Sequence, residues 1–240
     1  MECKIVIPSR KRSDIFTTEI HNSIICIDIS EKKDYENFDS EIIYHEGLKN
    51  LAQIRQFLYK KFGDIFMIDD DIVSVERTYA TTDSILTAKE AYKIIQETYY
   101  NSKQINAKLW GFNNDPSPTH YNQHKPFMLK GYINGCAIGV NQSEHLFFTD
   151  KTTACESHWI NLLNAYYYRY NFIDKRFHFR QKKDSTFNLK GGQSGKRTLE
   201  TERNDTLYLR KMFGNSIQIK KTKNKTLQLH EYQRELNITL

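Results

Sequence analysis

The sequence predicts an α/β domain whose mostly parallel central sheet is flanked by helices. Three observations carry that prediction. Short apolar runs rich in β-branched and aromatic residues recur at 4–7, 24–29, 42–44 and 65–68, with the length and composition of buried strands. Between the third and the fourth, Leu48, Leu51, Ala52, Ile54, Phe57, Leu58 and Phe62 form a helical stripe. The connections are short, and strands alternating with helices in this way build a parallel sheet under helical cover. A chain of 240 residues can bury a sizeable core as one domain.

The elements follow in order. Pro8-Ser9 ends the first strand. The second, Ile-Ile-Cys-Ile-Asp-Ile, leads into a charged segment at 31–41, and Ile42-Ile43-Tyr44 is the third. Gly63 stops the helix at 48–62, and Ile65–Ile68, four apolar residues without alternation, runs straight into Asp69-Asp70-Asp71. Thr87 with Glu90 three residues on is a capping box opening a helix to about residue 101. Trp110-Gly111-Phe112 reads as a strand, and the proline-containing stretch 113–126 as a loop. Residues 132–140 are strand-like with Gly135 and Gly139 embedded. A helix at 156–170, a strand at 172–179, a glycine-rich loop at 188–197, a helix at 201–213 and a strand at 216–219 complete the order. The basic tail 220–240 is expected to be peripheral. With neither repeat nor linker, residues 1–240 read as a single domain.

Composition narrows the class. Hydrophobic residues at 39% and charged residues at 27% exclude a disordered chain. No stretch approaches the ~18 apolar residues of a membrane span, and the opening strand lacks the layout of a signal peptide. Cys3, Cys26, Cys136 and Cys155 show no C-x-x-C spacing, so neither a zinc site nor a disulfide framework is expected. The net charge of +6 gathers in clusters such as Arg10-Lys11-Arg12, Lys175-Arg176 and Lys220-Lys221-Thr222-Lys223, which suits a polyanionic partner such as nucleic acid. Tyr and Phe interleave with cations at 166–170 and 177–180. Such rings can stack on bases, though a helix face and a strand account for them equally well.

Active sites of parallel α/β sheets lie at the carboxyl ends of the strands. Pro8-Ser9-Arg10 and the aspartate triplet both fall at such ends. Three adjacent carboxylates repel one another, and a cation relieves that repulsion. In an extended segment Asp69 and Asp71 point to the same side and Asp70 to the other, so the first and third suit a divalent metal. A solvated acidic turn is the alternative. Gly191-Gly192-Gln193-Ser194-Gly195-Lys196-Arg197 is no phosphate loop of the Walker type, because the glycine spacing and the residue after lysine are wrong. It is either a plain turn or a loop whose backbone approaches a ligand, with Lys196 or Arg197 on a phosphate. His120 and His124 have metal spacing only on a helix, which the neighbouring prolines oppose. Glu156 opens a helix, where a carboxylate serves the helix dipole or acts as a general base.

Taken in order, the strand with Pro8-Ser9-x-x-Arg12, the helix carrying Arg55, the strand with Asp69-x-Asp71, a glycine-containing strand and the helix-opening Glu156 resemble a nucleotide-sugar glycosyltransferase of the GT-A fold. The resemblance implies a Rossmann-like sheet with a smaller antiparallel acceptor-side part. It implies that Asp69 and Asp71 hold Mn²⁺ or Mg²⁺ on the donor diphosphate, and that Pro8, Ser9, Arg10 and Arg12 bind the donor nucleoside. Asp70 would meet the ribose or sugar. Arg55, in Leu51-Ala52-Gln53-Ile54-Arg55-Gln56, is similar to the family's Ala-Arg-Asn or Ala-Arg-Gln helix motif near the donor. Glu156-Ser157 stands where a Glu-Asp pair is usual, which implies Glu156 as the base of an inverting transfer. A narrower likeness is to the TET-associated glycosyltransferases, through Ile7-Pro8-Ser9-x-x-Arg12, Ile54-Arg55-Gln56, Met67-Ile68-Asp69-Asp70-Asp71 and Asn188-x-x-Gly191-Gly192-x-Ser194-x-x-Arg197. Gln193 stands where many relatives carry Cys. That likeness spans about residues 4 to 214 and implies a sugar moved onto hydroxymethylated pyrimidines in DNA. Residues 1–112 would then be the donor half and 127–219 the acceptor half, with no membrane partner and a cytoplasmic location, in a bacterial host if the gene is a phage's. The rival expectations are a glycosyltransferase with a polysaccharide or protein acceptor, a nucleotidyltransferase on the same fold, and a non-catalytic nucleic-acid-binding module.

Overall fold

The structure is a computed structural model that describes residues 2–183, 191–192, 197–219 and 234–237. Its frame is a nine-stranded mixed sheet with helices on both faces. In chain order the elements are β1 (Lys4–Pro8), β2 (Ile24–Asp28), β3 (Glu41–His45), α1 (Leu51–Phe62), β4 (Ile65–Ile68), β5 (Ile72–Arg77), α2 (Ala88–Gln104), β6 (Leu109–Asn113), β7 (Phe127–Met128), β8 (Ala137–Val140), α3 (Glu156–Tyr168), β9 (Phe172–Gln181), α4 (Leu199–Phe213), β10 (Ile217–Ile219) and β11 (Arg234–Leu236). The order across the sheet is β3-β2-β1-β4-β8-β6-β9-β5, with β7 also paired to β9. The run β3-β2-β1-β4 is parallel throughout. Beyond it β8 runs antiparallel to both β4 and β6, β9 runs with β6, and β5 and β7 run against β9. A separate antiparallel pair joins β10 to β11.

Strand β4 shows why the sheet needs two covers. Ile65 and Met67 face a core shared with Ile54 and Leu58 of α1, Trp159 and Ile160 of α3 and Leu209 of α4. Phe66 and Ile68 face the other core, with Ile94 and Ile95 of α2, Trp110, Phe112 and Phe179. Side chains alternate across a strand, so a strand buried on both faces reads as an unbroken apolar run. The embedded Gly139 lies opposite Trp110 in the β6–β8 ladder, and a Cβ there would come within 1.9 Å of the indole. No helix among the described residues is long and apolar enough to cross a membrane.

Beyond shifts of two or three residues at element ends, five differences from the sequence reading stand out. Helix α1 begins at Leu51 rather than residue 48, because the Asn50 side chain caps it by accepting from Gln53 N at 2.9 Å. The residues after the aspartates form an edge strand, β5, that the reading lacked. Residues 132–136 do not extend β8, because Asn161 of α3 binds both backbone groups of Ile133, at 2.9 Å each. Helix α3 stops at Tyr168, where Arg169 turns left-handed with φ 68°. The tail is not wholly peripheral: Arg234–Leu236 pairs with Ile217–Ile219, and the side chain of Arg234 is buried.

Candidate functional site

A cleft of about 380 Å³ opens at the carboxyl ends of β1 and β4, where a parallel sheet places its ligands. Pro8, Ser9, Arg10, Arg12, Arg55, Asp69, Asp70, Asp71, Glu156 and Arg197 all line it. Lys196 lies outside the described residues, as do Asn188 and Ser194. His120 pairs with Asp115 at an exposed site outside the cleft lining.

The three aspartates do different work. The chain leaves the extended conformation at Asp70 and turns, so the simple alternation expected of Asp69 and Asp71 does not hold. Asp70 is buried and spent on local structure: Oδ1 accepts from Arg12 Nη1 at 2.8 Å and Oδ2 from Ser9 Oγ at 2.5 Å. Ser9 Oγ also meets Tyr35 OH at 2.6 Å. Asp71 shares Arg12, at 3.3 Å, and accepts from Gln181 Nε2 at 3.0 Å. Asp69 stands apart on Arg55, whose Nη2 donates to Oδ1 at 2.9 Å. Its side chain keeps 23% of its surface open. Burial, with Asp71, Asp70 and Glu156 adding to it and Arg55 opposing, pushes its carboxyl up to about 7. Asp70 is likewise raised, by burial first, against the pull of Arg12 and Ser9.

Arg55 joins the two walls. Only 1% exposed, it donates from Nη2 to Asp69 and to Gly135 O at 2.7 Å and lies 3.8 Å from Glu156 Oε1. Its Nε and Nη1 have no hydrogen-bond partner among the described residues. Buried donors without a partner are costly, and Arg55 keeps two beside the cleft. Gly135 makes room for it, since a Cβ would come within 2.8 Å of Ser157 and 3.2 Å of Arg55 Nη1. Glu156, 7% exposed, is the first residue of α3, where the helix dipole favours a carboxylate.

Among the residues at the site that the sequence does not single out are Gln181 and His158, which line the cleft, and Tyr35 behind it. Tyr35 is buried beneath Ser9, and nothing in its local pattern distinguishes it. Gln181 ends β9, and the direction of that strand alone would have placed it at the cleft. His158 follows Glu156 on α3 and has no hydrogen-bond partner for Nδ1 among the described residues. Burial, then Arg234 and Arg197, pushes His158 down to about 3, so it is neutral at pH 7. Of the glycine-rich loop, Gly191 and Gly192 are described, and they close on the β1 loop, with Gly192 in the cleft lining. Gly192 N donates to Arg10 O at 3.0 Å, and a Cβ on Gly191, at φ +74°, would strike that oxygen at 2.4 Å.

Four arginines (Arg10, Arg12, Arg55 and Arg197) and a helix-opening carboxylate thus line one cleft, the equipment to hold a polyanion beside a proton acceptor. For a divalent cation, Asp69 offers a partly open carboxylate, and Asp71, 2% exposed, would have to yield its contacts with Arg12 and Gln181 to join it. Among the described residues no three acidic, histidine or cysteine side chains are placed to hold a metal together. A Mg²⁺ ion bound by one or two carboxylates with substrate phosphate and water requires no such cage. No family model matches the chain, and no curated protein matches its sequence significantly.

Proposed function

We propose that the protein is a metal-dependent glycosyltransferase of the GT-A type that moves a sugar from a nucleoside-diphosphate sugar to a hydroxyl. The observation that carries this reading is Arg55: a buried arginine bridges the triplet acid with an open oxygen and the helix-opening Glu156, with two of its nitrogens unsatisfied. A diphosphate seated beside Asp69 would meet the Arg55 guanidinium, and the sugar it carries would lie towards Glu156. Asp69 and Asp71 would hold Mn²⁺ or Mg²⁺, which neutralises charge on the departing diphosphate. Arg12, fixed by Asp70, offers a second cationic wall to the donor. Glu156 accepts the proton of the acceptor hydroxyl as its oxygen attacks the sugar carbon, and the nucleoside diphosphate leaves with the electrons of the broken bond. A base on the face opposite the leaving group inverts the configuration.

The acceptor we favour is a hydroxymethylated pyrimidine in DNA. Its support is an exposed belt beside the 131–136 segment. Half-buried Arg176, paired with Asp174, lies over exposed Phe127 at 5.0 Å, exposed Tyr79 meets half-buried Tyr121 at 5.9 Å, and Lys125 and Lys130 are exposed nearby in the chain. Cations interleaved with exposed rings suit a nucleic-acid strand, and a base in a duplex must be flipped to reach the cleft.

Titration with nucleoside diphosphates, with and without Mn²⁺, tests the donor site. At least one should bind, more tightly with Mn²⁺, and Asp69→Asn with Asp71→Asn should remove the metal's effect and all turnover while DNA affinity persists. Preference for a triphosphate, with release of pyrophosphate, would instead identify a nucleotidyltransferase.

A further inference from the structure

Helix α4 turns two acids inward one turn apart. Glu202 and Asp205 are each 2% exposed, although a helix terminal to the sheet would ordinarily present such residues to water. Asp205 accepts from Thr153 N at 3.0 Å and Ala154 N at 2.8 Å, the turn that delivers Glu156 to the cleft. Glu202 lies between two guanidiniums: Oε1 accepts from Arg197 Nε and Oε2 from Arg234 Nη2. Arg234 also donates from Nη1 to Glu202 O at 3.1 Å and to Thr206 Oγ1 at 2.8 Å. Arg234 belongs to β11, whose pairing with β10 brings it under α4, and Arg197 lines the cleft. One buried carboxylate between a buried and a half-buried cation is a poor way to gain stability, since apolar packing does the same job at less desolvation cost. It is a good way to fix a guanidinium in one place.

We infer that Glu202 and Arg234 are positioning residues that hold Arg197 in the cleft wall, so that the carboxy-terminal strand is a working part of the site. The same helix, through Asp205, sets the turn before Glu156. Arg197 and the turn before Glu156 are thus both tied to α4. The inference rests on the glycosyltransferase reading only for the identity of the anion Arg197 meets.

The test combines two readouts on the full chain: the rate at which phenylglyoxal modifies Arg197, mapped by peptide mass, and the affinity for inorganic pyrophosphate with Mn²⁺. In folded Arg234→Gln, Arg197 should label several-fold faster and pyrophosphate should bind about tenfold more weakly, the order of one charge-assisted hydrogen bond. Arg234→Lys should fall between, and Glu202→Gln should match Arg234→Gln. Arg203→Gln, an exposed neighbour on α4, should change neither. In an Arg197→Gln background, Arg234→Gln should weaken pyrophosphate no further. Unchanged labelling of Arg197 in cooperatively folded Arg234→Gln, or additive losses with Arg197→Gln, would overturn the inference. Faster labelling in a protein whose wild type binds no pyrophosphate would support the positioning role and tell against the donor reading.

Discussion

Arg55 carries more of the account than any other residue. In the sequence it stands out only through the resemblance of its helix to a donor-side motif. Its partners, Asp69, Gly135 O and Glu156, come from three other parts of the chain, so only the folded molecule shows what it joins. The aspartate triplet was legible as a cluster at a strand end, but its internal roles were not. They depend on the turn at Asp70 and on Ser9 and Arg12, which lie some sixty residues earlier. His158 gives the residue scale a measurable signature. Its imidazole is pushed from a usual value of 6.5 to about 3, so the folded state resists a proton that the unfolded state accepts. The stabilisation is present above pH 6.5 and is lost as pH falls towards 3, on the order of a few kcal/mol across that window. Denaturant unfolding from pH 7 to pH 4 should show a smaller loss of stability in His158→Gln than in wild type. Equal losses would mean that His158 is accessible to protons in the fold.

At the level of elements, local chemistry was readable wherever it was self-contained. The apolar run of β4, the stop at Gly63 and the Thr87–Glu90 capping box each depend on neighbours within a few residues, and each stands in the structure. Elements decided by distant partners were not readable. Strand β5 is an edge strand whose partner β9 lies about a hundred residues on, and its alternation is weak beside the acids before it. The segment 132–136 looks like strand by composition, yet Asn161 takes both backbone groups of Ile133. That bracket shapes the wall containing Gly135, the oxygen on which Arg55 leans. Asn161→Leu should therefore cost about 2 to 5 kcal/mol, since two buried backbone groups are left unpaired. It should also speed amide exchange at Ile133, and exchange as slow as in wild type would show that the wall is held otherwise.

Across the whole molecule, the parallel run β3-β2-β1-β4 and the mixed half meet at β4 and β8, and the cleft opens along that seam. One side supplies Ser9, Arg12 and the aspartates, the other Glu156, His158 and Arg197. The fold class was legible because hydrophobic periodicity reports layers. The clamp of β11 under α4 was not, because a three-residue strand and an inward-facing Glu202 leave no periodic signal. The basic and aromatic group around Phe127 and Arg176 lies on the mixed half, and under the proposed function the acceptor would come from that half. The most direct measurement of that arrangement is mass spectrometry of nucleosides digested from hydroxymethylated DNA, after incubation with the protein, Mn²⁺ and a panel of nucleotide sugars. The account predicts that one donor adds the mass of a single sugar to the hydroxymethylpyrimidine, and that Glu156→Gln abolishes the gain. Transfer to another acceptor, or hydrolysis of donor with the DNA unchanged, would contradict it.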